Sequence, residues 1–195
     1  MRTDRIPVAS RGGGVEAALA QVEKVAVYKE LPDKSALHLR LLAEEMMAML
    51  RAIAGDVNGE FWIEDEAGVY ALHLRAESLM DIRQREQLLS AASSGRNEAA
   101  KGFMGRLRCF FESSGGVTLF PGSVMPSSIP QGYSSYVWSM VDYRDMLQAY
   151  AGEHREGAQE AWDELEKSVV SQIADDVKVS ILGREVEMVI LKKLS

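Results

Sequence analysis

Two places in the 195-residue sequence hold residue types spaced for chemistry. The first is the acidic pair Glu44-Glu45 within the stretch ALHLRLLAEEMMAMLRAIA. At about 100° per residue, Leu39, Leu42, Met46, Leu50 and Ile53 fall on one side of a helix. Glu44 falls nearly opposite them, near Arg40 and Arg51, and so faces solvent. Glu45 sits at the rim of the apolar stripe, one turn before Met49 and close in azimuth to His38 and Leu41. A carboxylate there can overlook a pocket between helix and sheet; the plainer expectation is a rim carboxylate that snorkels to water or caps a neighbour. The second place is SSGRNEAAKGFMGRL. Gly95, Gly102 and Gly105 leave backbone that a phosphate can approach, and a helix start near Asn97 offers free N–H groups and a favourable dipole. Lys101 and Arg108 share a face with Gly105 and add positive charge. Glycines within a helix more often permit close packing against a sheet than bind phosphate.

The elements that must position these residues follow from periodicity. Val15, Ala18, Leu19, Val22, Val25 and Ala26 have the spacing of one helical face over residues 15–31, and Pro32 breaks that helix. Asp33 or Ser35 caps a second helix, which runs to about Ala54 and stops at Gly55. Phe61 to Glu64 and Val69 to Arg75 form a hairpin about Glu66-Ala67-Gly68. Ser78 to Ala92 and Asn97 to Glu112 are helical, Val117 to Phe120 is a short strand, and the proline-rich stretch PGSVMPSSIPQGYSS is loop. Tyr136 to Met140 opens either a strand or a helix. Residues 142–174 are mostly helical, broken near Gly152 or Gly157, with Trp162, Leu165, Val169, Val170 and Ile173 in one stripe. The chain closes with two alternating runs about Gly183, a terminal hairpin.

Composition bounds the class. With 26% charged and 47% hydrophobic residues the chain is that of an ordinary globular protein, long enough for one domain with its own core. Residues 1–14 carry three Arg without an apolar run and are expected to be a flexible tail rather than a secretory signal. No apolar run of about 18 residues suggests a membrane span. The single Cys109 offers neither an internal disulfide nor a metal cluster, as in a reducing cytoplasm. Between Asp142 and Asp176 there are ten acidic residues against three basic, a net of −7 that equals that of the whole chain. Such a face disfavours nucleic-acid backbone and fits a solvated, solubilising surface. His38, His73 and His154 lack metal-ligand spacing. Trp62, Trp138 and Trp162 are expected to be packing residues rather than a stacking platform, since no basic stripe surrounds them.

The succession of helix, breaker, long helix with LLAEEMMAMLRAI, hairpin, lid-like stretch and KGFMG opening another helix resembles the GHKL family of ATP-binding domains. Within it the chain is most similar to the anti-sigma-factor serine kinases. The resemblance covers residues 15–112 and the closing GREVEMVI; residues 113–174 have no counterpart and would be an insertion, with 121–174 its loop and helical part, in a single domain spanning 15–195. The resemblance implies an α/β two-layer sandwich, with helices on one face of a mixed, mainly antiparallel sheet. It places Glu45 where the family's base, which polarises the attacking water or hydroxyl, would stand. It places Gly95, Lys101, Gly102 and Gly105 at the nucleotide phosphates. The family's magnesium-binding Asn is replaced by Met49, a poor ligand for a hard ion. The adenine-gripping Asp-x-Gly after the second strand is absent from LRAESLM, where Glu77 or Asp81 would have to substitute.

The resemblance thus implies a cytoplasmic regulatory protein that binds ATP or ADP with magnesium, acting as a serine kinase or ATPase if active, with weak or no catalysis. Losing the metal ligand removes a main source of charge stabilisation in phosphoryl transfer. The alternative is a non-catalytic module that docks a regulatory protein partner, through Lys101 and Arg108 or the acidic helical insertion, or a small-molecule sensor that has lost nucleotide binding. Neither a nucleic acid nor a membrane is expected as a partner.

Overall fold

The computed structural model describes residues 1–52, 57–77, 135–152, 158–182 and 185–194. Among the described residues six strands form one sheet: β1 (Ile6–Ala9), β2 (Asn58–Glu66), β3 (Val69–Glu77), β4 (Ser135–Ser139), β5 (Asp176–Leu182) and β6 (Glu185–Lys193). Their spatial order is β1-β2-β3-β6-β5-β4. Every neighbouring pair is antiparallel, so among the described strands the expected mixed sheet is antiparallel throughout. Strand alternation decides which side is buried. Phe61 lies opposite Leu74 and Ile63 opposite Leu72, and these continue across to Met188 and Ile190. All six side chains are at most 1% exposed and form the helix-facing layer of the core.

The β2–β3 turn has two residues, Ala67 and Gly68, with φ of 52° and 82°. A two-residue hairpin favours positive φ at both sites because that twist matches the strands. Gly68 adopts it freely, whereas the Ala67 Cβ is strained. Ala67→Asn, which tolerates the left-handed region, is expected to raise stability by roughly 0.5–1 kcal/mol in urea denaturation; a loss of stability would contradict that strain.

The N-terminal residues expected to be a flexible tail are instead the sheet's edge. Ile6 pairs with Phe61 and Val8 with Gly59, and Ser10 is tied to Val57 by reciprocal bonds of 2.9 and 3.0 Å. Four residues are too few to show a period, and their partner is some fifty positions away. Pro7 fits an edge strand, where a missing N–H costs no ladder bond. Gly14 then turns the chain into the first helix with φ 76°; a Cβ there would meet the Pro7 carbonyl oxygen at 1.9 Å.

Helices α1 (Val15–Tyr28), α2 (Asp33–Ala52), α3 (Met140–Gly152), α4 (Ala158–Lys167) and α5 (Val169–Ile173) complete the described fold. Val15, Ala18, Val22, Val25 and Ala26 bury one face of α1 as their spacing predicts. Strand and helix meet at Met140: β4 ends at Ser139, whose hydroxyl donates to Asp176 at 3.1 Å, and Asp176 accepts from the Val141 amide at 3.2 Å. These oxygens satisfy first-turn amides of α3. Met140, Tyr143, Leu147, Leu165 and Val170 join the same core as α1 and α2. The described part of the stretch expected as an insertion therefore supplies an edge strand and core helices. Its expected apolar stripe is divided at Ser168, where α4 gives way to α5, leaving Leu165 and Val170 buried and Val169 exposed. Among the described residues no helix is long and apolar enough to cross a membrane.

Candidate functional site

Helix α2 runs between α1 and α5, so it buries more than one stripe. Leu39, Leu42, Ala43, Met46, Met47, Met49 and Leu50 are all buried. On the helical wheel they fill an arc from Met49 to Met47. Glu44 lies beyond the Met47 edge and accepts from Arg40 Nε at 2.9 Å, while the same guanidinium pairs with Glu23 of α1. That edge faces α1, so Glu44 is half-buried and ion-paired rather than free in solvent as the wheel alone implies. Glu45 lies just beyond the other edge, beside Met49, and is half-buried. Among the described residues no hydrogen bond or ion pair engages it. The structure thus places Glu45 on the rim away from α1.

Met49 is 3% exposed and part of the core cluster. A thioether packed among apolar side chains does not fit magnesium, which takes oxygen ligands. No group of three His, Cys, Asp or Glu among the described residues is placed to hold a metal ion. Gly95, Lys101, Gly102, Gly105 and Arg108, like Asp81, lie outside the described residues. So do the expected helices 78–92 and 97–112 and the strand 117–120. Glu77 ends β3 with its side chain exposed, opposite Glu185 of β6.

A second cluster lies on the sheet face away from the helices. Trp62 and His73 are cross-strand partners; their rings stack with centroids 4.6 Å apart and planes 9° from parallel. The guanidiniums of Arg5, Arg2 and Arg75 lie 4.6, 5.6 and 5.8 Å from the indole centre. Trp62 Nε1 donates to Glu64 at 3.0 Å. His73 Nδ1 donates to Glu187 at 2.9 Å and Arg75 to its other oxygen at 3.1 Å. Burial pulls the Glu187 pKa up, yet the bonds and charges of His73 and Arg75 outweigh it and leave the carboxyl below its ordinary value. His73 Nε2 is buried without a hydrogen bond, 3.8 Å from Glu64.

Trp62 is therefore a packing residue, as expected, but the arginines not expected around it are there, and His73 is not incidental: it is one wall of the stack. The alternation in FWIEDE and YALHLR signals that Trp62 and His73 share a face. Which arginines cover them depends on the position of β1. The cluster holds three cations against carboxylates on neighbouring strands, an arrangement suited to clamping the N-terminal strand. No protein-family model matches the sequence, and no curated protein aligns with it significantly.

Proposed function

We propose that this chain is a GHKL-like regulatory protein, related to the anti-sigma-factor serine kinases, in which phosphoryl transfer is weak or lost. The observation that carries this reading is the pairing of a half-buried Glu45 with a core-packed Met49 one turn later. The carboxylate expected of a base stands at the rim of α2, while the position expected of a magnesium ligand is apolar. The antiparallel sheet with helices on one face is compatible with that frame. In this reading Glu45 orients a water or hydroxyl, and Gly95, Lys101, Gly102 and Gly105 hold nucleotide phosphates. The bound nucleotide, ATP or ADP, serves to bias a conformation that a protein partner recognises.

The test is thermal unfolding with ATP or ADP, with and without magnesium. A ligand that binds only the native state stabilises it by about 2.7 kcal/mol at a hundred times its Kd. Nucleotide is expected to raise the melting temperature, with little dependence on magnesium because of Met49. No shift at millimolar nucleotide would overturn nucleotide binding. It would favour the alternative, a frame kept as a protein-docking module or sensor. Should slow turnover be measured, Glu45→Gln is expected to abolish it while leaving the nucleotide-induced shift intact; equal loss of both contradicts the role given to Glu45.

A further inference from the structure

We propose that the cleft between α3, α4 and α5 binds a small aromatic monocarboxylate, with the carboxylate on Arg144 and the ring against Trp162. The cleft has a volume of about 490 Å³ and is lined by Arg144 and Gln148 of α3, Trp162, Leu165 and Glu166 of α4, and Ser171 and Gln172 of α5. That volume lies within the range of small-ligand sites, which combine apolar walls with a few convergent polar groups. Its walls are held in place by the chain itself. The Ser171 hydroxyl donates to the Leu165 carbonyl and the Gln172 amide to the Glu166 carbonyl at 2.7 Å. These bonds satisfy carbonyls left free where α4 ends. From α3, a terminal nitrogen of Arg144 donates to the Ser171 carbonyl at 3.1 Å. Leu165 is buried, and Arg144 and Trp162 are half-buried.

Charge and shape select the ligand. A guanidinium carries five N–H donors in a flat fork. Among the described residues Arg144 engages the Ser171 carbonyl and no carboxylate. Its head is therefore anchored on one side and keeps its remaining donors for a planar anion; a carboxylate taking two parallel N–H···O bonds is the strong form of that contact. Gln148 lies one turn along α3 on the same face and adds an amide donor. Arg144 is the one cation among the described lining residues, and Glu166 is exposed beside it. One negative charge is matched there, whereas a phosphate dianion meets the surplus charge of Glu166 and of the acidic helices. Trp162 offers a flat aromatic face for a ring, and Leu165 an apolar wall. The acidic stretch expected only to solvate the surface thus encloses a basic pocket. This site is independent of any nucleotide bound near Glu45.

Titration of the isotope-labelled full chain with benzoate, phenylacetate and hydrocinnamate, each beside its neutral carboxamide, tests the assignment through the indole N–H signals in NMR spectra. The Trp162 signal, assigned by its loss in Trp162→Phe, is expected to shift saturably with at least one carboxylate at millimolar concentration. The signals of Trp62 and Trp138 are expected to stay in place. The matching carboxamide should bind about tenfold more weakly, a difference of about 1.4 kcal/mol, and phenyl phosphate should bind more weakly than the carboxylate. Arg144→Met is expected to erase the preference for carboxylate over carboxamide. That variant also removes the bond to the Ser171 carbonyl, so circular dichroism checks its fold; the comparison of carboxylate with carboxamide in the wild type stands without it. No saturable shift of Trp162 with any of the three carboxylates overturns the proposal. So does an equal response to the carboxamides, a response spread over all three indoles, tighter binding of phenyl phosphate, or a carboxylate preference that survives in folded Arg144→Met.

Discussion

Trp62→Ala is expected to lower stability by about 3–5 kcal/mol, the range for removing a buried large aromatic side chain, even though Trp62 lies on the sheet face that the described helices leave uncovered. The indole is only 2% exposed. What hides it is the His73 ring on one side and the guanidiniums of Arg2, Arg5 and Arg75 around it. Each exposed cation–π contact contributes about 0.5–1 kcal/mol, so the area withdrawn from water is the larger share. Two of the three arginines come from the N-terminal segment, where Arg5 also pairs with Glu60 at 2.7 Å and Arg2 with Glu64 at 3.3 Å. Loss of the indole should therefore loosen β1 before the rest of the sheet. The measurement is urea denaturation, with amide exchange at Val8 and Ala9 as the local readout. Trp62→Phe keeps a ring for the stack and loses the N–H bond to Glu64, a cost of about 1 kcal/mol. A cost under about 1 kcal/mol for Trp62→Ala would show that the arginines close over the gap and that the indole is not the anchor.

Periodicity made most of the scaffold legible. The hairpin of β2 and β3, the terminal hairpin and the two N-terminal helices appear where alternation and the 3.6 repeat place them, because each buries one continuous face. Three features escaped because their cause is non-local. β1 is too short to show a period and exists through its pairing with Phe61, Glu60, Gly59 and Asn58. Residues 136–140 fit a strand or a helix by propensity; the Ser139 and Asp176 oxygens decide that the change falls between Ser139 and Met140. Met47 joins the core because α2 is packed by α1 as well as by the sheet, a neighbour that a single-helix wheel does not contain. The candidate site divides in the same way. The split of Glu44 from Glu45 is a property of one helix and could be read from it, whereas the His73 stack needs two strands and a third segment laid over them.

Asp65→Asn is expected to cost about 1–3 kcal/mol near neutral pH, and its pH dependence gives the sharper test. Asp65 points to the helix side of β2 at the hairpin end, where its carboxylate is buried and pairs with Lys29, the residue that closes α1. It also accepts from the Gly68 amide at 3.3 Å. The pair therefore joins the end of α1 to the β2–β3 turn. The Lys29 hydrogen bond, partly opposed by burial, holds the Asp65 pKa below its ordinary value. The same bond holds the Lys29 pKa above the lysine value. A lowered carboxyl stabilises the fold above its unfolded pKa of about 3.9, and that stabilisation is lost as pH falls through the lower folded value. A raised ammonium has the opposite sign: its contribution is complete below the unfolded value of about 10.4 and is lost as pH rises through the higher folded one. Tyr70, opposite Asp65 in the hairpin, has its pKa raised by burial and by the Asp65 charge, and it steepens the same alkaline limb. The stability difference between wild type and Asp65→Asn should be flat between roughly pH 5 and 9 and should shrink on acidification below about pH 4. Lys29 is partly exposed and can turn to water, so Lys29→Met should cost less than Asp65→Leu, which removes both the charge pair and the acceptor for Gly68. Equal costs for these two variants, or an Asp65→Asn difference that persists undiminished to pH 2, would locate the stabilisation outside the ion pair.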